Sequence, residues 1–147
     1  MKKHYFIAFA LLVIGLSQSC DNGCDPPPPA CGQQVIIDND LYLNASSDAF
    51  TITQATITGD CLEITISASG CDGDNWELEL YDSDRILTAS DGDPGPWRML
   101  RLTLQNPELC EAVITKTFSF DISSLQYHDK IYLLLDDWDT GILLYEY

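Results

Sequence analysis

The feature that most constrains this chain is an apolar pattern of period two that begins near Val35 and continues to the C terminus. Leu62, Ile64 and Ile66 alternate with polar residues, and the segments starting at Trp76 and Leu100 repeat the pattern. Such alternation buries one face of an extended strand and leaves the other in water. Gly, Asp, Asn and Pro separate the segments, and no long stretch has the spacing of an amphipathic helix. The pattern therefore predicts an all-β domain.

Residues 35–147 offer seven to nine such segments, which predict an antiparallel β-sandwich, with a small β-barrel as the alternative. The last two segments, 131–135 and 142–147, predict a closing hairpin. Trp76 is in phase with Leu78 and Leu80, so we expect its indole in the core. A length of 147 residues fits a single domain of this kind.

Residues 1–19 have the features of an export signal. Two lysines precede a mostly apolar run over residues 5–16, which is shorter than the roughly 20 residues that a bilayer requires. Residues 16–20, Leu-Ser-Gln-Ser-Cys, resemble the lipobox of bacterial lipoproteins, in the looser form found in Bacteroidetes. We therefore expect a lipoprotein signal peptide and a covalent lipid on Cys20, because several acyl chains give stable anchoring. The alternative is an ordinary secretory signal, with Cys20 in a disulfide.

Residues 20–34 predict a Pro-rich tether between that anchor and the domain. Four consecutive prolines at positions 26–29 favour polyproline II geometry and cannot join a sheet. At no more than ~3.6 Å per residue, the tether reaches at most about 50 Å. We expect it to hold the domain close to the membrane.

Six cysteines in an exported chain predict disulfides. Cys71 and Cys110 each flank a strand at a loop, and they form the favoured pair. Cys24 and Cys31 lie on either side of the prolines and are a second candidate pair. Cys61 is then either an odd thiol or the partner of Cys24 or Cys31. No C-x-x-C spacing supports zinc, so we interpret the cysteines as structural.

Four short motifs mark the strands and their connections. They are Gly59-Asp60-x-Leu62-x-Ile64-x-Ile66, Gly70-Cys71, Cys110-Glu111-Ala112 and Phe118-x-Phe120-Asp121-Ile122-Ser123-x-Leu125. From about Phe50 to Tyr147 the chain resembles small Bacteroidetes outer-membrane lipoproteins of the NigD-like kind. The resemblance implies an immunoglobulin-like β-sandwich, a lipid anchor in the outer membrane and no assigned chemistry. It leaves open whether the domain faces the periplasm or the cell surface.

Charge and motifs argue against nucleic-acid binding and against catalysis. The chain has 23 acidic and 7 basic residues, a net charge of −16 that opposes binding to a phosphate backbone. Removal of residues 1–19 takes away two lysines and lowers the charge to −18. His128 lies in a polar stretch, and the common hydrolase, zinc-protease and P-loop motifs are not found. We expect a protein that is not an enzyme and has no cofactor besides the lipid.

One acidic turn is a candidate calcium site. Asp72 and Asp74 place carboxylates at alternate positions, which is the ligand type that Ca²⁺ requires. The surrounding residues do not complete an EF-hand, and acidic turns also form without a metal. Calcium binding there is an alternative to a plain turn.

Two tryptophans are candidate contact residues. Trp97 and Trp138 lie in turn-like segments beside charged groups, where an exposed indole stacks on a sugar ring or anchors a partner protein. The carboxylates beside Trp138 belong to the same candidate surface; they are Asp136, Asp137 and Asp139. The alternative is that each indole folds back and caps an end of the sandwich.

Three functions fit these features. We expect an outer-membrane-anchored lipoprotein that is a non-catalytic binding or accessory module for a membrane-protein partner. The first alternative is a carbohydrate-binding module that uses Trp97 or Trp138. The second is an acidic inhibitor of a cationic hydrolase, whose encounter with the protein the negative charge accelerates.

Overall fold

The computed structural model describes residues 31–88, 95–139 and 141–147. The predicted signal peptide, Cys20, Cys24 and the proline run lie outside these residues. Within the described ranges, no helix has the length and apolar content needed to cross a bilayer.

In these residues, nine strands form two facing sheets. The strands are β1 (Gln33–Gln34), β2 (Ile36–Ile37), β3 (Thr51–Thr58), β4 (Cys61–Gly70), β5 (Glu77–Asp82), β6 (Trp97–Gln105), β7 (Ala112–Asp121), β8 (Lys130–Leu135) and β9 (Ile142–Glu146). The first sheet has the order β1-β7-β4-β3, and the second has the order β2-β5-β6-β8-β9. The all-β sandwich is confirmed, and the sheets do not close into the alternative barrel. One α-helix, α1 (Asn39–Asn44), and one 3-10 turn (Ser123–Leu125) complete the elements.

The sheets are mixed, whereas the sequence predicted antiparallel pairing. Strand pairs β1–β7, β2–β5 and β6–β8 are parallel. β6 and β8 pair in parallel because the chain crosses to the other sheet as β7 before it returns. β8 and β9 form the predicted antiparallel hairpin, with Ile131 opposite Tyr145. Alternation within one strand does not fix the direction of its neighbour, which explains the difference.

The core lies between the two sheets and follows the period-two pattern. Leu62, Ile64 and Ile66 of β4 are fully buried, as are Leu100 and Leu104 of β6. Removing such a side chain from water contributes about 1.5–3 kcal/mol. Trp76 is also buried in this cluster, as predicted.

The N-terminal segment enters the sandwich earlier than the sequence indicated. Gln33 and Gln34, assigned to the tether, form β1 against Phe120 and Asp121. Gly32 precedes them at φ +83°, and a Cβ at this position would lie 2.7 Å from the Ser119 carbonyl oxygen. Only glycine tolerates both the left-handed backbone and this close approach. The described part of the domain therefore includes residues 31–34, which the sequence pattern assigned to the tether.

Two disulfides are present in the described residues. Cys71–Cys110 joins the loops after β4 and before β7, with Cα atoms 4.9 Å apart, which confirms the favoured pair. Cys31 bonds to Cys61, with Cα atoms 5.2 Å apart, which confirms the alternative that pairs Cys61 with Cys31. The candidate Cys24–Cys31 pair is wrong. The reason is that β1 runs beside the end of β7, which pairs with the start of β4 at Cys61.

A buried ion pair interrupts the apolar core at the end of β5. Arg98 Nη1 donates to Asp82 Oδ1 over 2.5 Å, and the Asp82 side chain is fully buried. Asp82 Oδ2, Ser83 Oγ and Arg98 Nε are buried without a hydrogen-bond partner. Burial raises the pKa of the Asp82 carboxyl, and the nearby guanidinium opposes that shift. The strand pattern did not predict this polar group.

Candidate functional site

The second sheet exposes an apolar surface on the side that faces away from the core. We call it the outer apolar face and define it by seven residues of β6, β8, β9 and the segment before β6. They are Leu87, Trp97, Met99, Tyr132, Leu134, Ile142 and Leu144. Each lies at an outward position of the alternation, because the neighbouring Leu100, Leu133 and Tyr145 are buried in the core.

Strand register arranges these residues in two parallel rows. Trp97 pairs with Tyr132, which pairs with Leu144, and the bridge from Leu87 to Trp97 extends this row. The Trp97 and Tyr132 ring centroids are 5.0 Å apart at an interplanar angle of 34°. Because residues that pair across strands lie side by side, the row is continuous.

The second row is shorter and aliphatic. It runs from Met99 through Leu134 to Ile142. Leu134 and Ile142 are 39% and 51% exposed, and Leu144 in the first row is 42% exposed. Scattered apolar residues are normal on a protein surface, but a contiguous group on three adjacent strands is typical of an interaction site.

Polar residues border the face at both ends of the strands. At one end Lys130 lies opposite Glu146, and its ammonium is 5.9 Å from the centroid of the Tyr132 ring. At the other end Arg101 donates to the carbonyl oxygens of Tyr42 and Ala45, over 2.8 and 3.0 Å. Helix α1 is thereby held over the β5–β6 part of the sheet, and among the described residues the β6–β8–β9 part retains exposed apolar side chains.

A buried tyrosine fixes the acidic segment after β8 to this helix. Tyr42 Oη donates to Asp136 Oδ2 over 2.7 Å. Burial raises the pKa of the Tyr42 hydroxyl, and its hydrogen bond to the carboxylate raises it further. Asp136 therefore has a structural partner, whereas Asp137 and Asp139 are exposed at the turn before β9.

The predicted contact residues are only partly brought together. Trp97 lies on the outer apolar face, but as the first residue of β6 rather than in a turn, since its backbone pairs with Leu87 and Tyr132. Trp138 is half-buried and packs against the core, so it caps the sandwich instead of forming a second exposed platform. Asp137 and Asp139 lie beside the end of the face, at the β8–β9 turn.

The candidate calcium turn is organised by the chain itself. Asp72 Oδ1 accepts the N–H of Asp74, and Asp74 Oδ1 accepts from Lys116 Nζ over 2.5 Å. Within the described ranges no three acidic, histidine or cysteine side chains are grouped as metal ligands. Calcium binding at this turn stays a prediction.

Glu108 is the principal organiser of the same loop. Its carboxylate accepts backbone N–H groups of the loop, at 2.6 Å from Cys71, 3.0 Å from Gly73 and 3.4 Å from Asn75. Desolvation acts to raise the pKa of Glu108, but these hydrogen bonds outweigh it and lower the pKa to about 2. The backbone of the loop is thus wrapped around the Glu108 carboxylate.

His128 is exposed, at φ +58°, and its ring meets the Tyr127 ring edge-on at 4.3 Å. These contacts orient the imidazole in a turn. The expectation that the protein is not an enzyme stays a prediction.

The residues that sequence reasoning missed are the aliphatic members of the outer apolar face. The signal was present, because Leu133-Leu134-Leu135 and Ile142-Leu143-Leu144 are continuous apolar runs rather than alternating ones. A strand that is apolar at every position buries both faces or exposes one of them. In this fold the second face is exposed.

Comparison of the sequence with protein-family models and with curated proteins finds no match. Among solved structures, the chain is similar to a crystal structure of a protein of unknown function, DUF1344, from Bacteroides vulgatus. The identity is 18% and the TM-score 0.48, over 78% of this chain and 55% of that chain. The chain thus spans about half the length of that protein.

Proposed function

We propose that this protein is a lipid-anchored lipoprotein of the outer membrane, of the NigD-like kind. In this proposal it is a non-catalytic binding module that contacts a membrane-protein partner through its outer apolar face. The observation that carries the proposal is the contiguous exposure of Leu134, Ile142 and Leu144 beside the Trp97–Tyr132 pair. Aromatic and aliphatic side chains grouped in this way are the usual centre of a protein interface.

Charge supports a heterologous partner over self-association. The chain carries a net charge of −16, so two copies repel each other at long range. The outer apolar face holds no charged side chain, whereas Lys130, Glu146 and Arg101 lie at its borders. An apolar centre with a polar rim is the arrangement found in protein–protein interfaces.

The position of the tether supports a partner in the membrane. The disulfide to Cys61 holds Cys31 at the start of β4. Asp60, the residue before this strand, accepts a hydrogen bond from Tyr145 of β9. Ten residues then lie between Cys31 and the lipid proposed on Cys20, and the eleven Cα–Cα steps span at most about 40 Å. One end of the outer apolar face is thereby kept near the membrane surface.

Site-specific photo-crosslinking in native membranes tests this proposal. A photoreactive amino acid at Leu134 is expected to give an adduct with a membrane protein. The matched control position is Val113, which is 78% exposed on the other sheet and is expected to give none. Equal labelling from both positions, or no adduct from Leu134, would contradict the proposal.

Carbohydrate binding is a second candidate, favoured by the adjacent rings of Trp97 and Tyr132 on the open face. Sugar rings stack on such aromatic surfaces. Titration of the protein with glycans while tryptophan fluorescence is followed tests it, with Trp97→Phe as the comparison variant. A fluorescence response that persists in Trp97→Phe would remove Trp97 as the platform.

A further inference from the structure

The borders of the two sheets differ in how they are protected. In the first sheet one border is β7, which pairs at one end with the two-residue strand β1, and the other border is β3. In the second sheet one border is β5, which pairs at one end with the two-residue strand β2, and the other border is β9. An unpaired border strand recruits other strands unless a charge, a proline, a bulge or a cover prevents it.

Three of these four borders have such protection. β7 carries Lys116, and β5 carries Glu77 and Glu79. β3 has a register shift between Ile52 and Gln54, which marks a bulge. Each feature disfavours the addition of a further strand.

β9 has no charge, proline or bulge over most of its length. Ile142 to Tyr145 contains no charge and no proline, and its pairing with β8 is regular. The described residues supply no strand beyond β9, although β3 of the other sheet passes near it. This border is continuous with the outer apolar face, because Ile142 and Leu144 belong to both.

Acidic groups flank this uncharged border. Asp137 and Asp139 are exposed at the turn that leads into β9, and Glu146 is exposed at its other end. Lys130 lies opposite Glu146 on the outer face, but no basic residue of the described chain accompanies the two aspartates in their turn. Charge complementarity therefore favours a basic residue of the ligand at the Asp137–Asp139 end of the strand, whereas Lys130 offsets Glu146 at the other end.

We propose that an extended segment of the partner adds to β9 as a further strand of the second sheet. That segment has apolar side chains at alternate positions and a basic residue at the end that meets Asp137 and Asp139. Its alternate side chains widen the outer apolar face, and its main chain pairs with the border of β9 to which no strand of the described residues is bonded. This inference rests on the proposed function and specifies how the partner binds.

A second copy of this chain fits the border less well. Antiparallel pairing of two β9 strands relates the two copies by a two-fold axis, so that the ends of one sandwich point in the opposite direction to those of the other. Since Tyr145 of β9 and Cys31 lie at the same end of the sandwich, the two tethers would leave from opposite ends. Two copies anchored in one membrane need both tethers to leave towards that membrane, which disfavours this pairing.

The test extends the photo-crosslinking experiment and adds amide hydrogen exchange. A photoreactive residue at Leu144 is expected to capture the same membrane protein as Leu134. In the purified complex, amides of β9 that are free in the isolated chain are expected to exchange at least 10-fold more slowly. The double variant Asp137→Asn with Asp139→Asn is expected to lower the adduct yield several-fold. The matched control, Glu77→Gln with Glu79→Gln on β5, is expected to leave the yield unchanged.

The outcomes separate the two proposals. An adduct at Leu134 with unchanged exchange in β9 overturns strand addition and leaves the proposed function standing. An adduct with twice the mass of this chain would show that the bound molecule is a second copy of the chain, which overturns the proposed heterologous partner. Absence of adducts at both Leu134 and Leu144 contradicts both proposals. An adduct yield that does not change when Asp137 and Asp139 are neutralised overturns the basic character of the segment.

Discussion

Substitution of Arg98 by methionine tests the buried ion pair. Arg98 is the cationic partner of Asp82, at 2.5 Å, and its side chain is 10% exposed. Methionine keeps an unbranched apolar chain in the same space but cannot donate. Asp82 Oδ1 then retains only the backbone N–H of Asp84, at 2.8 Å, and Asp82 Oδ2 already lacks a partner. The variant therefore leaves a carboxylate in the core without its countercharge.

The expected loss in the free energy of unfolding is about 3–5 kcal/mol, because removal of one member of a buried ion pair leaves an uncompensated charge. For a domain of this size, that loss lowers the melting temperature by roughly 10 °C or more. Arg85→Met is the matched control, since Arg85 is exposed, and we expect it to change stability by no more than about 0.5 kcal/mol.

The loss is also expected to depend on pH. Burial already raises the pKa of Asp82 above its ordinary 3.8, and removal of Arg98 takes away the charge that opposes this shift. A raised carboxyl pKa means that the folded state binds a proton more readily than the unfolded state. The stability difference between Arg98→Met and the unmodified protein is thus largest at neutral pH and becomes smaller as the pH falls towards 3.8.

Urea unfolding followed by tryptophan fluorescence at pH 8 and pH 5 measures both effects. The double variant Asp82→Asn with Arg98→Met is expected to be more stable than Arg98→Met alone at pH 8, since no charge is then buried. A loss below about 1 kcal/mol at pH 8, or the same loss at both pH values, would refute the reasoning.

Three further predictions concern the loops and the tether. Glu108→Gln is expected to speed amide exchange in the loop after Cys71. The Glu108 carboxylate stabilises that loop above pH 4.5, and this stabilisation is lost as the pH falls to about 2, so the exchange rates of the variant and the unmodified protein are compared over a pH series. Replacement of Cys71 and Cys110 by serine is expected to cost about 4 kcal/mol by loop-closure entropy, measured by urea unfolding. Cys61→Ser is expected to free the segment before β2, and limited proteolysis detects faster cleavage there, with unchanged cleavage as the contrary result.

The sheet architecture was accessible from the sequence because most strands bury one face only. Leu62, Ile64 and Ile66 alternate with polar neighbours, and each is buried where the pattern placed it. The Cys71–Cys110 pair followed from the position of both residues in loops beside strands. Pairing direction was inaccessible because the alternation in β6 is the same whether β8 runs parallel or antiparallel to it.

The candidate site was less accessible, because its members come from segments far apart in the chain. Trp97 was identified from its residue type and its charged neighbours, but Tyr132 joins it only through the parallel register of β6 and β8. The period-two pattern does not reveal that Asp82 and Arg98 are buried, because it assigns every charged residue to the solvent-exposed face of a strand. These pairs are set by tertiary packing, which a single sequence does not display.

The apolar runs in β8 and β9 have two physical consequences at once. Leu133 and Tyr145 complete the core, while Leu134, Ile142 and Leu144 on the same strands remain in water. A fold stabilised by the core alone needs only the inward set, and polar residues at the outward positions would be more soluble. Exposed apolar residues thus add nothing to the core, and they coincide with the border strand whose residues 142–145 contain no charge, proline or bulge. We infer that one binding event covers both the face and the border, which is why a partner strand along β9 accounts for them together.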